Sequence, residues 1–237
     1  MKMPIRNLCI VLICLICAIA NAGDAYAGKI VDKSSEGYFL YLPQAAISGK
    51  TSPVLVCLPG WGVSAKHDIN MWGFPAEKND FVVINFDIDY SFIKSVSDVK
   101  KLYNRIKKTI DVLSSLYPID TQRIYIAGTS AGGMMSISLA LMYPDEFIAI
   151  GVICGARLKF SAQKYLRNAK GINFYMIHGQ KDKSIPIREF HSTVKRLKKY
   201  GAIVKFDIIK EGRHILPSSA YRKTVDWLSI KKNRKYK

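Results

Sequence analysis

Short, continuously apolar runs alternate with longer stretches in which apolar residues recur every three or four positions. Residues 53–58, 81–86, 124–127, 147–154 and 174–177 are runs of the first kind, rich in Val, Ile, Phe and Tyr. Such runs suit strands buried on both faces. Residues 38–42, after Gly37, predict an opening strand, and residues 203–209 a last one. The second kind begins with Val99, Leu102, Tyr103, Ile106, Ile110, Leu113 and Tyr117, which share one face of a long helix. Ser95 and Asp98 have the spacing of its capping box, and Pro118 closes it. Residues 134–142 predict a helix stopped by Pro144, 188–200 a basic amphipathic helix, and 218–230 a closing helix. Strands alternating with helices predict an α/β fold, a mainly parallel sheet with helices on both faces. There is no internal repeat, no second domain and no insertion long enough to form a large lid.

The run at 124–127 leads into Gly128-Thr129-Ser130-Ala131-Gly132, a G-x-S-x-G stretch, and a helix follows it directly. Strand, sharp turn and helix are the context of a nucleophile elbow. Its glycines allow a turn that side chains would crowd, and the serine hydroxyl is lifted to a helix N-terminus that favours negative charge. A serine hydroxyl needs a base, and the base needs an orienting group. In chain order Ser130 is followed by Asp182, past the strand ending at Ile177, and by His214, past the strand ending at Ile209. The chain has four histidines. His67 precedes the serine, His178 precedes the acid and reads as support for its loop, and His191 falls inside the basic helix. That leaves His214 as the candidate base, beside the plainer reading of a packed loop histidine. Asp182 is the candidate acid, beside the plainer reading of a turn aspartate. Of the rival acids, Glu189 falls on the helix and Glu211 is too near His214 in sequence. An oxyanion needs two N–H donors. Ala131 supplies the first, and the loop after Leu58 supplies the second at Trp61, where Gly60 and Gly62 let the backbone come close. The Trp61 ring also reads as hydrophobic cover.

Composition sets the surroundings. The chain has 237 residues, of which 49% are hydrophobic, enough for one sizeable domain with a full core. Lys2 and Arg6, the apolar residues 8–20, and small-x-small sites ending at Ala22 and Ala27 predict a signal peptide over 1–27. The mature domain, 28–237, is then expected to be secreted or periplasmic. Cys9, Cys14 and Cys17 fall in the signal, and Cys57 and Cys154 lie in apolar runs as expected for buried thiols. The formal net charge is +18, with basic clusters at 100–108, 195–199 and 231–237. These read as a solvated lysine-rich surface or, alternatively, as a patch for an anionic surface or polymer. The absence of interleaved stacking aromatics argues against nucleic acid. No Cys/His cluster has zinc spacing and no phosphate-binding glycine motif occurs, which points to no metal and no nucleotide cofactor.

Taken together, several stretches resemble a known family. They are residues 38–43, Leu58-Pro59-Gly60, Asp98-Val99, Tyr117-Pro118-Ile119-Asp120, Arg123-Ile124-Tyr125, residues 128–134, His178-Gly179-Gln180-Lys181-Asp182 with Ile185-Pro186, and Gly212-Arg213-His214. The chain is similar to the secreted α/β-hydrolase esterases of the polyhydroxybutyrate depolymerase and feruloyl esterase type. That resemblance implies the α/β-hydrolase fold, the acid loop at Asp182, the histidine loop at His214, and a serine carboxylesterase acting on a small ester, a polyester or a polysaccharide-linked ester. One departure stands out. The family usually has His-Gly at the oxyanion loop, where this chain has Pro59-Gly60. The backbone donor survives and the side-chain brace is gone. Two other readings stand beside the esterase: a serine peptidase of the prolyl oligopeptidase type, which usually carries an extra domain, and a non-catalytic basic binding protein on a hydrolase scaffold.

Overall fold

A single eight-stranded sheet, in the order β1-β2-β4-β3-β5-β6-β7-β8, runs through the whole computed structural model, which describes residues 28–231. The strands are β1 (Lys29–Lys33), β2 (Tyr38–Leu42), β3 (Ser52–Leu58), β4 (Val82–Phe86), β5 (Ile119–Thr129), β6 (Ala149–Ile153), β7 (Asn173–Gly179) and β8 (Ile203–Ile209). From β4 and β3 to β8 every pairing is parallel, and β1 and β2 join antiparallel at one edge. The longer helices are α1 (Ala65–Lys78), α2 (Val96–Leu116), α3 (Ala131–Met142), α4 (Ile187–Lys199) and α5 (Ser218–Ser229). The signal expected over 1–27, its three cysteines and residues 232–237 of the basic tail lie outside the described residues.

The period-two geometry of a strand divides the core in two. Along β3, Val54, Val56 and Leu58 pack under α2, α3 and α4, while Leu55 and Cys57 pack under α1 and α5. Both faces being covered explains why these strands are apolar throughout. Helix α2 buries Val99, Leu102, Ile106, Ile110 and Leu113. Removing such a side chain from water is worth roughly 1.5–3 kcal/mol. Its expected capping box is present: Ser95 Oγ accepts from the Asp98 N–H at 3.2 Å, and Asp98 Oδ2 accepts from the Ser95 N–H at 3.0 Å.

Several elements depart from the sequence reading. Strand β1, Lys29-Ile30-Val31-Asp32-Lys33, is a short edge strand with no buried position, so no apolar run announces it. Helix α1 contains Gly73 and Pro75, which read locally as breakers, yet Ile69, Trp72, Pro75 and Ala76 form its buried side. Strand β5 begins at Ile119, well before the run at 124–127, because a register shift at Pro53/Val54 lets it continue along β3. Strand β6 is shorter than the apolar run around it. Strand β8 is an edge strand, and its positions are part-exposed or exposed. The basic cluster on α2 is partly consumed locally. Arg105 donates to the carbonyls of Asp87 and Gly37 and lies 5.1 Å from the centre of the Phe86 ring, while Lys101 pairs with Asp98 and Lys107 with Glu146. No helix among the described residues is long and apolar enough to cross a membrane.

Candidate active site

The C-terminal ends of β5, β7 and β8 meet at one rim of the sheet, where open α/β sheets hold their ligands. At the first of them the chain turns sharply. Ser130 adopts φ 53° and ψ −116°, its N–H donates to the Ile153 carbonyl at 2.8 Å, and α3 starts at the next residue. Positive φ is strained for a residue with a Cβ. The turn survives because Gly128 and Gly132 leave it room. A Cβ at 128 would sit 2.8 Å from the Gly133 nitrogen, and one at 132 would sit 2.6 Å from the Pro59 carbonyl oxygen and nearer still to that of Leu58. Those neighbours are backbone and cannot rotate away. Gly132→Ala is therefore expected to cost about 3 kcal/mol or more of unfolding free energy. A urea titration checks it, and an unshifted midpoint would mean that β3 and α3 are not wedged together as described.

The structure brings Ser130, His214 and Asp182 into one hydrogen-bonded run. His214 Nε2 is 2.9 Å from Ser130 Oγ, and His214 Nδ1 is 2.8 Å from Asp182 Oδ2. The other carboxylate oxygen, Oδ1, accepts from the N–H groups of Ser184 and Ile185 at 2.8 and 2.9 Å. Burial acts to raise the Asp182 carboxyl, but these N–H groups and His214 outweigh it and hold the group below its ordinary value. An ionised Asp182 accepts from Nδ1–H, which leaves the Nε2 lone pair to take the serine proton. The acid and histidine loops are fastened to each other by Gln180 N–H to Ile209 O at 2.9 Å and Lys181 N–H to Gly212 O at 2.8 Å.

The remaining histidines and acids lie where the sequence reading put them. His178 is fully buried against Phe190, with Nε2 2.8 Å from the Ile185 carbonyl and 3.4 Å from Asp182 Oδ2. Facing two oxygens, Nε2 carries the proton, and burial pulls the ring's pKa down so that it stays neutral. It holds the acid loop. His67 and His191 are exposed on α1 and α4. Glu189 accepts two hydrogen bonds from Arg157, one of them 2.6 Å, and Glu211 pairs with Lys181. Cys57 and Cys154 are free and buried, and burial pushes the Cys154 thiol up to about 12. Ligand atoms of Cys154, His178 and Asp182 lie within 4.8 Å of one another. Both oxygens of Asp182 are already engaged, by His214 and by the N–H groups of Ser184 and Ile185, so the trio packs as a support for that carboxylate.

Over Ser130 lies the loop that follows β3. The Val63 N–H donates to the Gly60 carbonyl at 3.1 Å, and Gly62 takes φ 73°, the geometry of a type II turn. Gly60 passes close above the serine, since a Cβ on it would lie 3.6 Å from Ser130 Cβ. Among the described residues no acceptor meets the Trp61 N–H. The Ala131 N–H, first in α3, has no intrahelical acceptor. The two expected donors are thus free near Ser130. Beside them opens a cavity of about 320 Å³, with Ser130 and His214 in its wall and Trp61, Tyr90, Ile93, Met134, Met135 and Ile185 around it. Sequence reading missed Tyr90. Nothing in the mixed segment after β4, residues 87–94, sets it apart from Ile88, Phe92 or Ile93.

Comparison with known proteins agrees with this architecture. Acetylxylan esterase A of Emericella nidulans is 29% identical over 121 residues, covering 48% of this chain and 40% of that protein. A probable inactive carboxylesterase of Oryza sativa subsp. japonica is 28% identical over 163 residues, covering 61% of this chain and 65% of that one. The chain thus spans less than two thirds of the length of these relatives. The fluorophosphonate-binding serine hydrolase F of Staphylococcus aureus shares the fold, with a TM-score of 0.64 and 16% identity over 85% of this chain and 98% of that one. Residues 81–231 match the family model described as phospholipase/carboxylesterase. That match takes in the serine, the acid and the histidine together, and the chain belongs to the phospholipase/carboxylesterase family of α/β-hydrolases.

Proposed function

We propose that the chain hydrolyses carboxylic esters through an acyl-enzyme. Ser130 Oγ attacks the ester carbonyl carbon while its proton passes to His214 Nε2. The N–H groups of Ala131 and Trp61 receive the oxyanion, and Asp182 stabilises the imidazolium. The tetrahedral intermediate collapses, the C–O bond breaks, and His214 returns the proton to the departing alcohol. Water then attacks the acyl carbon, gives its proton to His214, and releases the acid and Ser130. The observation that carries this reading is the unbroken run Asp182–His214–Ser130 opening onto a largely apolar cavity, with Arg157 and Lys159 at its wall. The wall of Ile93, Met134, Met135 and Ile185 suits an apolar acyl or alcohol group of modest size. The basic helices are read as solvated surface.

Release of p-nitrophenol from acetyl and butyryl esters, together with covalent labelling by a fluorophosphonate, tests the reading. A binding protein on this scaffold would give neither. A peptidase of the prolyl oligopeptidase type would also cleave a prolyl peptide amide, which an esterase would leave uncut. A panel of feruloyl, acetyl and hydroxybutyrate esters then ranks the substrates. The proposal includes export. Protein recovered from its native host is expected to begin at Gly23 or Gly28, and Edman sequencing that reads from Met1 would refute cleavage.

A further inference from the structure

Two glycines, Gly60 and Gly62, flank the proposed donor at Trp61. Glycine backbones lose the most freedom on being fixed, so this loop does not hold its own shape. Pro59 has no N–H with which to anchor it. Tyr90 fills that gap. Its hydroxyl donates to the Pro59 carbonyl at 2.7 Å. Its ring stacks on Trp61 with centroids 6.2 Å apart and an interplanar angle of 26°. Tyr90 is 9% exposed, whereas Trp61 is 64% exposed, so the buried ring is the fixed partner and the indole the one being held. The tyrosine is itself set on a short 3-10 turn, Tyr90–Phe92, capped by Asp89, whose carboxylate accepts from the Ser91 N–H at 2.9 Å.

A trans peptide points its N–H away from its own carbonyl. Tyr90 pins the Pro59 carbonyl and Val63 pins the Gly60 carbonyl, so the two peptide planes before the Trp61 Cα are both fixed. We infer that Tyr90 is the positioning residue of the oxyanion loop: its hydroxyl and ring hold residues 59–61 so that the Trp61 N–H faces the oxygen that develops beside Ser130. The inference rests on the esterase reading above. Tyr90 acts through the loop, and the reacting atoms are touched by the backbone it places.

Tyr90→Phe removes one oxygen and keeps the ring, so folding is not threatened. Losing a donor of this kind outright costs about 10²- to 10³-fold in kcat. Loosening it is expected to cost less, about 30-fold in kcat for p-nitrophenyl butyrate, with KM within about twofold. A tetrahedral analogue, a trifluoromethyl ketone, puts an oxyanion in the same place. Its inhibition constant should rise by the same factor, while that of planar butyrate stays unchanged. Amide exchange over 60–63 should also quicken. A purely structural tyrosine would lower the melting temperature and leave the two inhibitors equally affected. Wild-type kcat and analogue affinity in Tyr90→Phe would overturn the inference. Failure of the wild-type protein to turn over any ester would instead overturn the esterase reading.

Discussion

Ser130→Ala is expected to lower ester turnover by about 10⁶-fold, the scale seen when a known serine hydrolase loses its nucleophile. In the proposed mechanism the hydroxyl is the group that forms and breaks the covalent bond, and no neighbour can replace it. The variant should also fail to take up a fluorophosphonate, while its circular dichroism matches wild type. Equal labelling of the two proteins would remove Ser130 from its role. The same position gives a thermodynamic check. At φ 53° and ψ −116° any residue with a Cβ carries strain of roughly 1–3 kcal/mol. Ala keeps the Cβ and Gly lacks it, so Ser130→Gly should unfold at higher urea than Ser130→Ala, although both are inactive. The site would then be seen to hold its nucleophile at a cost in stability.

Asp182→Asn is expected to lower turnover by about 10⁴-fold with the fold intact. The reason lies in how the carboxylate is held. Oδ1 accepts from the N–H groups of Ser184 and Ile185, so an amide at 182 must put its oxygen there. Its NH₂ then faces His214 Nδ1, which has to become the acceptor. The imidazole proton moves to Nε2, and the ring can no longer receive the proton of Ser130. Glu189→Gln and Glu211→Gln should stay within roughly tenfold, because those carboxylates pair with Arg157 and Lys181 at part-exposed or exposed sites. Turnover of p-nitrophenyl butyrate by the three variants, with circular dichroism, decides it. Near-normal rates for Asp182→Asn beside a loss in Glu211→Gln would reassign the acid.

What could be read from the sequence follows from what local pattern records. Strands buried on both faces, such as β3 and β4, show as unbroken apolar runs, and α2 shows by its spacing and capping box. The order Ser130, Asp182, His214 was legible because each follows a recognisable strand. Helix α1 was not legible. Its buried Asp68 accepts from Trp72 Nε1 at 2.9 Å and Asn85 Nδ2 at 3.0 Å, pairings that turn a charged residue into part of the core. Burial raises that carboxyl while the two donors oppose the rise. Sequence patterning reads such an aspartate as solvent-facing. The Tyr90 to Pro59 bond and the inward turn of Arg105 escaped for a related reason, since each joins segments far apart in the chain and leaves no period behind.

The position of the proposed base at the margin of the sheet bears on how the molecule is expected to fail when heated. His214 stands 84 residues from Ser130 and follows β8, which has β7 as its sole neighbour in the sheet and buries none of its own residues. The serine turn lies at the centre, between α3 and the covered strands β3, β5 and β6. Marginal segments with few buried groups open first and at least cost. Fraying of β8 would withdraw the imidazole and leave the serine turn standing, so ester turnover is expected to be lost on heating below the temperature at which circular dichroism shows the core melting. Over that interval the protein would be folded and keep the proposed nucleophile, with nothing to activate it.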